Sequence, residues 1–185
     1  MVNLDKALTV ALAAAHLAGG LLKRKFPQAR QVRYKGPRDI VTDADEAAQS
    51  VIRELIRVSC PSHAFLGEEG AHAVDVDAPG PTWVVDPLDG TSNYARQFPF
   101  FCVSIALSVD GQPQVGVIYD PLRGETFQAV RGRGAFRQHG RTQQQRLQAS
   151  PITDMGEALV GDRQRKKGVD PKPSSKLFPI SNPTS

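Results

Sequence analysis

Cysteine is nearly absent from this sequence: Cys60 and Cys102 are the only two in 185 residues. They are too few and too far apart for a disulfide framework or a zinc site, both of which need clustered ligands. Both are expected to be reduced and buried. A bilayer-spanning apolar run is lacking as well. The nearest candidate, Ala7 to Leu22, is shorter than the ~20 residues a span needs. It contains Thr9 and His16 and ends in Lys23-Arg24-Lys25. Leu4, Leu8, Ala11, Leu12, Ala15, Ala18 and Leu22 recur at helical spacing, which predicts an amphipathic first helix and not a signal peptide or anchor. No membrane association is expected, and a cytoplasmic location is. No internal repeat is evident.

Excess charge is lacking over most of the chain. The formal net charge is +4 with pI near 9.3. The segment from Asp162 to Ser185 holds Arg163, Arg165, Lys166, Lys167, Lys172 and Lys176 against only Asp162 and Asp170, and the rest balances. A solvated basic tail accounts for the total, which argues against nucleic acid as a partner. Hydrophobic residues at 40% and charged residues at 23% are ordinary for a folded globular protein. The length suffices for one good core, or for one domain plus an incomplete second.

What is present is a change of period along the chain. After the first helix, Phe26-Pro27 breaks the pattern, and Gln31 to Tyr34 reads as a short strand before the loop Lys35-Gly36-Pro37-Arg38. A second helix begins near Thr42 or Asp43. Asp43, Asp45 and Glu46 suit the positive end of its dipole, and Ala47, Val51, Leu55 and Val58 supply an apolar stripe until Cys60-Pro61-Ser62. Strands follow at Ala64 to Gly67, Trp83 to Asp86, Phe101 to Val109, Gln114 to Tyr119 and Glu125 to Val130, the last two forming a hairpin about Asp120 to Gly124. The fold class is therefore α+β, with two amino-terminal helices packed on a mostly antiparallel sheet. Residues 1–160 are expected to form this domain. Residues 161–185, proline-rich and basic, are expected to form a disordered tail.

Three segments place carboxylates after a β-like run: Asp39 to Asp45, Gly67-Glu68-Glu69, and Asp86-Pro87-Leu88-Asp89-Gly90-Thr91. In the last, Pro87 is expected to stop the ladder so that the chain turns and brings Asp86 and Asp89 together. Two carboxylates so placed repel unless a cation lies between them, and oxygen-only donors suit a hard cation such as Mg²⁺. Taken alone, Asp89-Gly90 is a common turn dipeptide. Its company with the other two acidic segments alters that reading. His63 and His72 flank the acidic strand without a partner at ligand spacing and read as surface or packing residues.

In order and spacing, Lys35, Asp39 to Asp45, Gly67 to Glu69 and Trp83 to Tyr94 resemble the motifs of the inositol monophosphatase family. Phe98-Pro99-Phe100, Val103 to Leu107, Gly116 to Pro121 and Gly132 to Phe136 continue the likeness to about Val160. The resemblance implies a Mg²⁺-dependent phosphomonoesterase using two or three ions. It implies that Glu68, Asp86, the Leu88 carbonyl and the Thr91 hydroxyl hold the activating ion, and that Asp86 and Asp89 share a second. Asp45 and Thr91 would orient and deprotonate the attacking water. Asp89, Gly90, Thr91 and Ser92 would bind substrate, with amides of Gly90 and Thr91 cradling the phosphate. Lys35 and Glu69 would act behind the ligands.

The implied substrate is a small phosphate monoester such as inositol 1-phosphate. Histidinol-phosphate, fructose-bisphosphate and 3'-nucleotide phosphates are sister activities, and relatives of full length are expected to be homodimers. The family pattern also includes a second α/β domain with a W-D-x-A-A/G segment, absent here, since Trp83 is the only tryptophan. The expectation is that this second domain is missing, that residues 162–185 are a truncated or frameshifted end, and that the chain is a catalytically deficient metal-binding fragment if not an active enzyme.

Overall fold

The computed structural model describes residues 2–28, 32–36, 39–67, 79–140, 142–154 and 156, with 32–36 and 39–42 as backbone. The first helix, α1 (Leu4–Lys25), is capped by Asn3, whose Oδ1 accepts the Lys6 N–H at 2.9 Å, and carries Asp5 in its first turn and Lys23, Arg24 and Lys25 in its last. Those charges complement the helix dipole at both ends. α1 is longer than the apolar stretch alone predicts. By length and hydropathy it could cross a membrane, yet its alanine face, from Ala7 to Leu22, is buried within the core.

A hairpin of β1 (Val32–Gly36) and β2 (Asp39–Thr42) leads into α2 (Asp43–Ser59), whose first turn holds Asp43, Asp45 and Glu46 as the dipole argument expects. The hairpin replaces the expected lone strand and loop. Its antiparallel pairing, Val32 with Thr42 through Gly36 with Asp39, gives the Asp39 segment a partner.

A seven-stranded sheet follows: β3 (Ala64–Gly67), β4 (Pro81–Asp89), β5 (Cys102–Val109), β6 (Gln112–Asp120), β7 (Glu125–Val130), β8 (Gly134–His139) and β9 (Gln145–Leu147), ordered as in the chain. Among the described strands only β3 and β4 pair in parallel; the other pairs are antiparallel. The last two strands carry no clear alternation, and the sequence pattern did not single them out.

Alternate residues of the strands, Val103, Ile105 and Leu107 with Val115 and Val117, meet the helices and form the core with Leu22, Ile52 and Ile56. Each such side chain contributes about 1.5–3 kcal/mol by leaving water. The alanines and Gly19 let α1 approach closely: a Cβ on Gly19 would lie 2.5 Å from Tyr119 Cδ1. On the alternate positions Leu66, Val84, Ala106, Gly116, Ala129, Ala135 and Leu147 stand in one cross-strand row. Beside it Ile118 is 44% exposed, so this face of the sheet presents apolar surface.

All these elements lie in one compact unit, Met1–Gln148; a second comprises Ala149–Ser185. In the second, the described residues turn locally, with Gly156 N donating to Asp154 Oδ1 at 2.8 Å. The expected boundary at 160/161 and the tail lie outside the described residues.

Candidate active site

β3 and β4 run side by side, with Gly67 opposite Val85. In sequence the next residues are Glu68 and Glu69 after one strand and Asp86 along the other. Sequence reasoning placed acids at two strand ends; the parallel ladder shows that these strands are neighbours. Glu68 and Glu69 themselves lie outside the described residues, as does His72, and Lys35 is described as backbone only.

Pro87 does not stop the ladder. β4 continues through it to Asp89, which pairs with Cys102, while Asp86 pairs with Ser104 and the register shifts between them. A bulge makes no ladder demand on the residue lacking an N–H, so proline is tolerated there. The bulge, and not a terminated strand, sets Asp86 and Asp89 apart from regular alternation. Asp86 Oδ1 accepts the Leu88 N–H at 3.1 Å, and Asp89 is exposed at the rim.

Gly90 then turns the chain at φ +97°, ψ +31°, and α3 (Thr91–Ala95) begins. A side chain there would meet the Phe100 carbonyl oxygen at 3.0 Å. Asn93 Nδ2 donates to that same oxygen at 2.8 Å, so the turn and the following loop are tied together. Tyr94 is fully buried, and its hydroxyl donates to the Leu22 carbonyl at 2.8 Å, fastening α3 to the end of α1. Burial, then the charges of Asp43 and Asp45, raise the Tyr94 phenol above its ordinary range, keeping it a donor.

The chemistry converges on Thr91. Its Oγ1 stands 3.2 Å from Asp45 Oδ1 and 3.0 Å from the Leu88 carbonyl oxygen. A hydroxyl carries one proton, so it serves one of these acceptors at a time. Asp45 is 2% exposed, reaching the turn from the first turn of α2. Thus Asp45, 46 residues away in sequence, meets Thr91 and the Leu88 carbonyl at one turn, with Asp86 two residues from Leu88. Ser92 is half-buried, and its carbonyl accepts from Arg96 Nη1 at 3.1 Å.

Cys102 reports the local field. It is half-buried, not fully buried as expected, and its Sγ lies 3.9 Å from Asp89 Oδ2. Burial pushes its thiol up to about 12, with the negative charges of Asp89, Asp86 and Asp120 adding to the effect. Carboxylates, a carbonyl and a hydroxyl in a negative field are a donor set fitted to a hard divalent cation. Among the described residues no three His, Cys, Asp or Glu side chains converge on one point. His63 stacks on Trp83 with ring centroids 6.1 Å apart, a packing role as expected. Sequence reasoning gave no part to Gln49, Asn93 or Tyr94. The signal available for the last two was their place directly after the Asp-Gly-Thr turn.

The protein is thus an α+β domain whose described oxygen donors, Asp45, the Leu88 carbonyl and Thr91, meet at the turn after β4, beside Asp86. The profile of the inositol monophosphatase family matches residues 3–178, extending beyond Gly161, where the motif reading ends. The chain belongs to the inositol monophosphatase family. It is 41% identical over 136 residues to inositol monophosphatase 2 of Solanum lycopersicum, a match covering 72% of this chain and 51% of that protein. Among solved structures, the extragenic suppressor protein suhB from Bartonella henselae aligns with TM-score 0.66 and 41% identity, over 71% of this chain and 51% of its own. The inositol monophosphate-bound structure of SaIMPase-II aligns with TM-score 0.58 and 34% identity, over 70% and 45%. The chain thus spans about half the length of the relatives it matches.

Proposed function

We propose that this domain is the ligand-bearing part of a Mg²⁺-dependent phosphoric monoester hydrolase acting on a small phosphorylated polyol, with inositol 1-phosphate as the first candidate. The observation that carries it is the meeting of Asp45 Oδ1 and the Leu88 carbonyl at the Thr91 hydroxyl, beside Asp86. The donors that would hold Mg²⁺ are Asp86, the Leu88 carbonyl, Thr91 and Asp89, with Glu68 from the neighbouring strand end. When bound, Mg²⁺ supplies Lewis-acid stabilisation of phosphoryl oxygens and a more acidic water.

The chain's own residues do the rest. Asp45 is buried and one hydrogen bond from Thr91 Oγ1, so it draws the hydroxyl proton toward itself and leaves the threonine oxygen as an acceptor for an attacking water. Gly90 lets the backbone pass close to the substrate, and the start of α3 offers amide donors to an anion. Cys102, held neutral, adds no charge beside Asp89. That SaIMPase-II has been solved with inositol monophosphate supports the choice of polyol. Histidinol-phosphate, fructose-bisphosphate and 3'-nucleotide phosphates belong in the same assay, and the reading includes a cytoplasmic setting and small substrates in place of nucleic acid.

A second reading is a domain that holds the cation but turns over little ester; the family's W-D-x-A-A/G segment is not in this sequence, where Trp83 is the only tryptophan. Phosphate release from inositol 1-phosphate with millimolar Mg²⁺, against an EDTA control, separates the two. Mg²⁺-dependent release that Thr91→Val abolishes supports the hydrolase. No release from any of the four esters, with cation binding intact, supports the second reading.

A further inference from the structure

Two polar side chains interrupt the apolar inward face of α2. Ala44, Ala48, Ile52 and Ile56 line it, and Asp45 and Gln49, one helical turn apart, are 2% and 7% exposed. Residues at i and i+4 share a helix face, so these two look toward the same side. Burying a carboxamide is costly unless its polar atoms are engaged. Asp45 reaches Thr91; Gln49 has no part in the chemistry described so far.

Its surroundings supply one. A Cβ built on Gly67 would fall inside contact distance of Gln49 Oε1 and 2.8 Å from Gln49 Cδ. Gly67 does not adopt a positive φ, so what an added methyl group would meet there is side chain and not backbone strain: the Gln49 amide, and Phe65 Cε1 at 2.9 Å. The missing side chain is the space that the Gln49 amide occupies. Gly67 is the last residue of β3, it pairs with Val85, and the acids Glu68 and Asp86 come next in sequence on the two strands.

We propose that Gln49 is a positioning residue for the candidate cation site. From one face of α2, Asp45 reaches the turn after β4 and Gln49 reaches the end of β3, so a single helix sets the register of both acidic strand ends. This rests on the cation reading of the site but not on turnover.

Terbium luminescence tests it, because Trp83, the only tryptophan, lies three residues before Asp86 on β4 and can sensitise a Tb³⁺ ion bound there. The full chain is titrated as wild type, Gln49→Ala, Gly67→Ala and the double variant, with Gln49→Leu as an isosteric form that keeps the core filled, and each is melted in parallel. Outer-shell changes of this kind weaken metal affinity roughly 10- to 100-fold. Each single variant is expected to lose about tenfold or more, with Gln49→Leu melting close to wild type. The double variant should be no weaker than the weaker single, since both changes remove one contact. Unchanged affinity in Gln49→Leu, additive losses in the double variant, or no Tb³⁺ binding by the wild type would each overturn the proposal. Wild-type binding without phosphate release would defeat the hydrolase reading and leave this one standing.

Discussion

Replacing Gly90 with alanine tests the geometry of the turn at its tightest point. At φ +97° an L-residue bears about 1–2 kcal/mol of backbone strain. The new Cβ would also stand 3.0 Å from the Phe100 carbonyl oxygen and 3.3 Å from Phe101 Cα, both backbone atoms. The carbonyl cannot retreat freely, because Asn93 Nδ2 holds it at 2.8 Å, and surrendering that bond adds about 0.5–1.5 kcal/mol. The total is about 1.5–3.5 kcal/mol. Gly124→Ala is the control: its φ is +66° with no atom within 4 Å of the added Cβ, so it bears the backbone term alone. At roughly 2–4 °C per kcal/mol for a chain of this size, thermal melts should fall by about 3–14 °C for Gly90→Ala and about 2–8 °C for Gly124→Ala. Equal shifts for the two variants would refute the steric argument, since they differ in what the methyl group meets.

Thr91→Val removes the hydroxyl between Asp45 and Leu88 while keeping its shape; Mg²⁺-dependent phosphate release is expected to drop roughly 10²- to 10⁴-fold with little change in melting, and retention of rate would exclude Thr91 from the chemistry. Tyr94→Phe deletes a buried hydrogen bond to the Leu22 carbonyl, which still accepts the Phe26 N–H; urea unfolding should show a loss of about 0.5–1.5 kcal/mol, and a cost above ~3 kcal/mol would show that the carbonyl is left orphaned. Burial lowers the pKa of His16, and burial with Lys6 nearby lowers that of His63, so the fold favours both neutral imidazoles. Stability from this source is therefore intact above the ordinary histidine value of about 6.5 and falls as pH drops through it, where the unfolded chain takes up protons first; a His16→Gln/His63→Gln variant should flatten the fall in melting temperature between about pH 7 and 5, and an unchanged slope counts against it. Ile118→Lys places a charge on the open apolar face of the sheet; light scattering at high concentration should decrease, and a wild type already monodisperse at every concentration would contradict the premise.

Much of this protein was legible in one dimension because the relevant forces are local. Helical spacing from Leu4 to Leu22, acids at the start of α2 and alternation in β5 to β7 each act within a few residues, and each marks the element observed. The Asp-Pro-Leu-Asp-Gly-Thr run and its companions likewise pointed to oxygen donors for a hard cation, since ligand chemistry is a property of side-chain type. Pro87 misled because a proline's missing N–H ends a regular ladder but not a bulged one, and a bulge depends on the partner strand. Strands β8 and β9 were missed because β8 is held by pairing with β7, and β9 by pairing with β8, not by their own pattern.

The convergence of the site belongs to packing. That Thr91 meets Asp45, 46 residues away, and that Tyr94 meets Leu22, 72 residues away, follows from α1 and α2 lying against the sheet. The parallel pairing of β3 with β4 is of the same kind: sequence names two strands followed by acids, and only the ladder makes those strands neighbours. Gln49 shows the division best. As a letter in α2 it is an ordinary polar residue, and its meaning arises only when the helix turns it toward a glycine whose missing side chain leaves room for it. Local propensity and donor chemistry are written residue by residue, whereas the distance between two donors is set by burial of the apolar faces that carry them.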